Sequence, residues 1–172
     1  IKENAKQIGL IGARALPNSR EVKRGTESIA NVRIDGAEPV IRDIEKLDIA
    51  QGRYFTDAEN DNSVRVCYVG SDVANKLFPQ GDAIGGEIRI SGIPYKIIGI
   101  QTTKGTVFGQ PQDNFVQFPI KTYGANFGGL RNSRGLYFSV TAKDDKSMDA
   151  AVEEVRMLMR IKRKVPYEEK DT

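Results

Sequence analysis

The apolar runs of this chain are short, rich in β-branched residues and closely punctuated, which confines it to a fold made mostly of short strands. Ile8–Ala15 (IGLIGARA) is followed by Pro17-Asn18-Ser19 and reads as a buried strand and a turn. Val22–Gly25 and Ser28–Asp35 suggest a hairpin in which Ile29, Asn31 and Arg33 share one face and Ala30, Val32 and Ile34 the other. Val64–Val69 is a strand ended by Gly70, with Cys67 turned toward a packed surface. Glu87–Ile90 and Ile93–Ile100 flank Ser91-Gly92, a two-residue hairpin signal, and Pro94 puts the second arm at an edge or a bulge, where its missing N–H costs nothing. Phe115–Ile120 and Leu136–Ala142 complete the strands.

Helical patterns are fewer. Ile41, Ile44 and Leu47 fit a short helical turn within Pro39–Ile49. Ser71 is expected to cap a helix that presents Val73, Leu77 and Phe78 on one face and stops at Pro79. Ser147–Lys164 carries Met148, Ala151, Val152, Val155, Leu158 and Met159 in one stripe, expected to be core. Gln101–Asn114 reads as an exposed loop, and Tyr123–Gly135, with four glycines among Asn and Arg, as a long surface connection. A length of 172 residues suits one domain or two small lobes.

Composition removes most chemistry. With no His and a single Cys, a His-based triad, a His-ligated metal and an intrachain disulfide are all excluded. Lys+Arg 26 against Asp+Glu 23 gives +3 on a mixed surface, so nucleic acid is not an expected partner. No Gly-Lys-Ser/Thr phosphate loop, Gly-x-Ser-x-Gly elbow or Ser-x-x-Lys pair is present, and no cofactor is expected. Asp57, Glu59 and Asp61 alternate like the opening of a calcium loop. However, the sixth position is Asn62 and the twelfth Tyr68, so a solvated acidic loop is expected instead. A carboxylate pair for hydrolysis could still be drawn from Glu38, Asp43, Asp57, Glu59 or Asp72. No apolar run approaches the ~18 residues needed to span a bilayer.

One ordered series of motifs spans nearly the whole chain: Gly52-Arg53-Tyr54-Phe55-Thr56 with Glu59, Val64–Gly70, Leu77-Phe78-Pro79, Asp82-x-Ile84-Gly85, and Ile88-x-Ile90 through Gly92-Ile93-Pro94-Tyr95 to Ile97-Ile98-Gly99-Ile100. Phe118-Pro119-Ile120 and the Ser147–Arg160 helix follow. This order resembles the extracytoplasmic core domain of MacB-type ABC transporter permeases, the macrolide-exporter and FtsX-like group. The resemblance implies a two-lobed α+β domain, a βαβ-type membrane-proximal lobe (1–31 and 131–172) with a mainly β insert (32–130). Against the resembled pattern the membrane-proximal lobe is expected to be incomplete, its first strand and helix absent or reduced to Ile1–Gln7 and its last strand beginning after Thr172. By that resemblance, Gly52, Arg53, Phe55, Gly70, Leu77, Phe78, Gly85 and Gly99 are structural, with both phenylalanines buried and the glycines at turns or strand ends.

The implied role is non-catalytic: a separate nucleotide-binding ATPase domain moves membrane helices flanking this chain, and the domain transmits that motion outside the membrane. A homodimer of full-length permeases, a monomer for the isolated domain and, in some members, a periplasmic adaptor protein belong to the same implication. Phe127, Leu130, Arg131 and Arg134 are the candidate partner contacts, on an exposed connection with apolar and basic groups. The competing reading is a small carboxylate-based hydrolase or a ligand-binding α+β domain.

Overall fold

A computed structural model of the chain describes residues 7–107, 109–128 and 135–163. Among these, the residues of Ile1–Ile11 and Ser139–Thr172 form one compact unit and those of Gly12–Phe138 a second. The strands are β1 (Ile8–Ala15), β2 (Asn18–Arg24), β3 (Glu27–Ala37), β4 (Ile49–Gly52), β5 (Val66–Val69), β6 (Glu87–Ile90), β7 (Ile93–Gln101), β8 (Thr106–Val107), β9 (Gln110–Pro111), β10 (Phe115–Pro119) and β11 (Leu136–Ala142). The helices are α1 (Ile41–Ile44), α2 (Asp57–Asp61), α3 (Ser71–Leu77), α4 (Ile120–Phe127) and α5 (Met148–Arg163), α5 following a single 3₁₀ turn, Asp145–Ser147. This is the α+β composition expected.

In the larger unit, β3, β2, β6, β7, β5 and β10 pair in that order, and β10 returns to pair with β3, so six strands close a barrel. Closure removes the free edges that an open sheet would present. The closing pairs, Arg33 with Phe115 through Ala37 with Pro119, run parallel. Val22, Val32, Ile34, Cys67, Val69, Ile88, Ile90, Tyr95, Ile97, Val116 and Phe118 form one core with Val73, Ala74 and Leu77 of α3, the following Phe78, and Tyr123 of α4. A second, smaller core on the other face gathers Ala37, Ile41, Tyr54, Phe55, Val66, Tyr68, Ile98 and Phe115.

Two bulges decide which residues reach which core. Between the pairs Arg20–Val32 and Val22–Ile29, β3 advances one residue more than β2, and Asn31 takes a φ of 55°. That bulge turns Ile29 onto the face of Val32 and Ile34, correcting the expectation that it would oppose them. In β7 a bulge opposite Cys67 and Tyr68 lets Ile97 and Ile100 serve the first core while Ile98 serves the second. Pro94 lies in an interior strand rather than an edge. It is tolerated because β5 begins to pair with β7 only at Lys96.

Other expectations change as well, and within Gln101–Asn114 the short strands β8 and β9 pair where an exposed loop was expected. The acidic segment is helix α2, not a loop: Thr56 accepts from the Glu59 backbone while the Glu59 carboxylate accepts from the Thr56 N–H. The Thr-x-x-Glu spacing of this capping box was present in the sequence. Ser71 is the first residue of α3 rather than its cap; Gly70 holds that position and makes no side-chain bond. Tyr123–Phe127 belongs to α4, not to a surface connection. Tyr123 and Phe127 sit one turn apart with ring centroids 5.3 Å apart, and their packing outweighs the ~1 kcal/mol penalty of Gly124.

In the smaller unit, Lys143 N–H donates to the Gln7 carbonyl (2.9 Å) and Leu10 N–H to Thr141 Oγ1 (2.9 Å), so β1 and β11 run side by side there. Gln7 N–H also donates to Glu154 of α5 (2.7 Å). The α5 stripe is only partly core: Ala151 is buried, Val155, Leu158 and Met159 are half-buried, and Met148 and Val152 are exposed. The described residues of this unit give a 16-residue helix little beyond two short strand segments to bury its face against.

Candidate functional site

Of the motif residues, Gly52, Arg53, Phe55 and Gly99 gather at the second core and its rim, while Leu77 and Phe78 belong to the first. β4 runs antiparallel to β7 with Gly52 directly opposite Gly99, and the backbone crossing is tight enough that a Cβ on Gly52 would fall against the Ile98 carbonyl and one on Gly99 against the Arg53 carbonyl. Gly52 also has a φ of 74°, a conformation costly for any other residue. Gly70 makes a comparably close approach to the Asp113 carbonyl, and Gly85 occupies a turn.

Immediately after this crossing the chain places Tyr54 and Phe55, both buried, with ring centroids 3.9 Å apart, and Tyr54 meets Tyr68 edge-on at 5.1 Å. Arg53 points the other way and grips Glu59 with two hydrogen bonds, 2.8 and 2.7 Å. The Arg53 bond, with the Thr56 cap, draws the Glu59 carboxyl down to about 2. Because the folded value lies below the unfolded one, this contact stabilises the fold above about pH 4.5 and is lost as pH falls toward 2. Glu59→Gln is therefore expected to cost about 1 kcal/mol at neutral pH, a figure reduced for the exposure of Arg53, with the difference shrinking below about pH 4.5 and gone only near pH 2. Urea titrations at both pH values check it.

Phe78, the other motif phenylalanine, is buried with Leu77, and the Arg24 guanidinium lies 3.9 Å from its ring centroid. Arg24 also donates to the Leu77 carbonyl (2.8 Å) and so ties the end of α3 to the β2–β3 hairpin. Of the candidate partner contacts, Phe127 is half-buried and packs with Tyr95, Phe118 and Tyr123, so it belongs to the core more than to an exposed loop. Leu130, Arg131 and Arg134 lie outside the described residues.

Sequence reasoning missed a buried polar chain beside the second core. Arg14 on β1 donates to Asp35 Oδ2 (2.5 Å) and to Glu45; Gln117 donates to the same Asp35 oxygen (2.9 Å), and the Tyr54 hydroxyl donates to Gln117. Asp35 and Gln117 are 2% and 3% exposed, which is why the network matters: buried polar groups are tolerated only when paired. Burial alone would lower the Arg14 pKa, but Asp35 and then Glu45 reverse that and raise it. The Tyr54 hydroxyl is pushed up by burial and, next, by Asp35. The available signal was an arginine inside the otherwise apolar run IGLIGARA and an aspartate late in an apolar strand.

This arrangement offers little to catalysis. Asp35 and Glu45 are both engaged by the Arg14 guanidinium. The Cys67 thiol is fully buried and its pKa is pushed up by burial, which disfavours the thiolate. Among the described residues, no group of three His, Cys, Asp or Glu is placed to hold a metal ion, and no helix is long and apolar enough to cross a membrane.

The model of the MacB-like periplasmic core domain matches residues 3–158. The macrolide export ATP-binding/permease protein MacB of Azoarcus sp. (strain BH72) is 32% identical over 112 residues, 64% of this chain and 17% of that protein. The pyoverdine export ATP-binding/permease protein PvdT of Pseudomonas aeruginosa is 30% identical over the same shares. This chain thus spans about a sixth of the length of these curated relatives. The periplasmic region of MacB from Actinobacillus actinomycetemcomitans matches with a TM-score of 0.77 at 20% identity, covering 93% of this chain and 70% of that one. The extracellular domain of the ABC-type transporter YknZ from Gram-positive bacteria matches with a TM-score of 0.78 at 18% identity, covering 95% and 81%. With a family model matched over nearly all of its length, the chain belongs to the family of MacB-like periplasmic core domains.

Proposed function

We propose that this chain is the non-catalytic extracytoplasmic domain of an ABC transporter permease, carrying ATP-driven motion of flanking membrane helices to export or mechanical work outside the membrane. The observation that carries the reading is the closure of β3, β2, β6, β7, β5 and β10 around a side-chain-filled interior. A densely packed closed barrel transmits displacement instead of absorbing it. Relatives of similar identity are named for export of a macrolide and of pyoverdine, chemically unlike cargos, which supports a part played through shape and motion rather than cargo chemistry.

In this reading the ATPase and the membrane helices lie outside this chain, full-length copies work as a homodimer, and a periplasmic adaptor protein docks on some assemblies. The membrane-proximal lobe of this reading contains β11 and α5, and its insert contains the closed barrel. The isolated chain is expected to elute as a monomer in size-exclusion chromatography with light scattering. The hydrolase alternative is disfavoured because, of its candidate carboxylates, Glu59 is gripped by Arg53 and Glu38 accepts from the Ala13 N–H.

The test is to replace Gly12–Phe138 in the full-length transporter by a short flexible linker. ATP hydrolysis is expected to persist while export stops. Export that continues at the parental rate contradicts the proposal, as does export that stops only because ATP hydrolysis stops with it.

A further inference from the structure

A cavity of about 250 Å³ lies over the outer face of β3 and β10, where Arg33 stands opposite Phe115 and Asp35 opposite Gln117. Its floor is the Arg14–Asp35–Gln117 chain, in which Arg14 occupies both carboxylates, Asp35 and Glu45. Its upper wall is different. Arg33 and Lys104 are exposed and form no ion pair among the described residues. Arg33 instead lies 5.4 Å from the Phe115 ring centroid, a contact that positions a guanidinium without neutralising it. The side-chain amide of Gln101, a residue only 5% exposed, borders the same cavity. Leu47, Phe115 and Tyr137 provide apolar wall.

These groups define a ligand chemistry. Counting Arg14, Arg33 and Lys104 against Asp35 and Glu45 gives 3 − 2 = +1, which is matched by one negative charge. A dianion such as phosphate would be disfavoured by the two carboxylates on the opposite wall. An apolar wall next to a guanidinium, an ammonium and an amide suits a carboxylate with a compact apolar or aromatic body. We propose that this cavity is a binding site for a small monocarboxylic acid, its carboxylate received by Arg33, Lys104 and Gln101 and its body lying between Phe115, Leu47 and Tyr137. The site does not depend on the transporter reading, because every residue in it belongs to the larger unit and none requires a membrane partner.

The probes are benzoate, acetate and inorganic phosphate, each added at constant ionic strength against chloride to the isotope-labelled 172-residue chain and followed by amide and side-chain NMR signals. Benzoate is expected to shift the Arg33, Gln101, Lys104 and Phe115 signals saturably, with a Kd of about 1 mM or tighter, and to bind more tightly than acetate or phosphate. Arg33→Gln or Lys104→Gln should weaken benzoate about tenfold each, with unchanged thermal melting, while Lys146→Gln has no effect. Shifts that follow chloride without saturating overturn the proposal. So does phosphate or acetate binding as tightly as benzoate, or full benzoate affinity in both Arg33→Gln and Lys104→Gln.

Discussion

Arg14→Met is expected to destabilise the fold by about 3–5 kcal/mol, the penalty typical of removing one partner from a buried ion pair. The charge lost is not the main term. Asp35, 2% exposed, would be left with only Gln117, and a carboxylate so placed must either stay charged without a counterion or take up a proton. The Nε of Arg14 and Oδ1 of Asp35 are already buried without partners among the described residues, so the network has little in reserve. Replacing both residues, Arg14→Met with Asp35→Leu, should recover more than half of the loss, because an apolar pair leaves no orphan charge. Chemical denaturation of the wild type, both single variants and the double variant closes the cycle. Equal losses in Arg14→Met and the double variant would mean that packing, not charge, governs this position.

Phe78→Ala is the second large effect, again about 3–5 kcal/mol. The ring is 2% exposed, seals the end of the barrel core beside Leu77, presses on Gly86, and has the Arg24 guanidinium over its outer face. Truncation therefore opens a cavity and removes the cation–π contact together. Phe78→Leu fills most of the volume and should lose less than half as much, and Arg24→Gln alone about 1 kcal/mol. An unchanged denaturant slope with a lowered midpoint would show that the loss belongs to the native state. A loss below 1 kcal/mol in Phe78→Ala would show that the ring is not structural.

The strands were legible because their signals are local. Period-two patterning around Ser91-Gly92 located the β6–β7 hairpin, and Ile8–Ala15 and Leu136–Ala142 coincide with β1 and β11 residue for residue. What was not legible depends on distance along the chain or on competition with tertiary packing. Barrel closure pairs Asp35 with Gln117, 82 residues apart, and no local pattern encodes which strand a β10 will choose. The bulge at Asn31 flips the inward face of β3 with a single residue. Gly124 misdirected the reading of α4, because the burial of Tyr123 that outweighs it is invisible in one dimension. For the site, the motif glycines and phenylalanines could be found by resemblance, whereas the Arg14–Asp35–Glu45 chain required three separate elements to be brought together.

The central claim is that a stiff barrel moves as a body when the transporter turns over. Double electron–electron resonance on the full-length protein measures this directly, with spin labels at Lys23→Cys and Lys104→Cys, both exposed positions in the larger unit. Native Cys67, fully buried with its thiol pKa pushed up by burial, should remain unlabelled. Between nucleotide-free and ATP-bound states, the distance within one domain is expected to stay constant, while the distance between equivalent single labels on two protomers shifts by several ångströms. A constant distance between protomers, or a change within the domain as large as the change between them, would contradict the account.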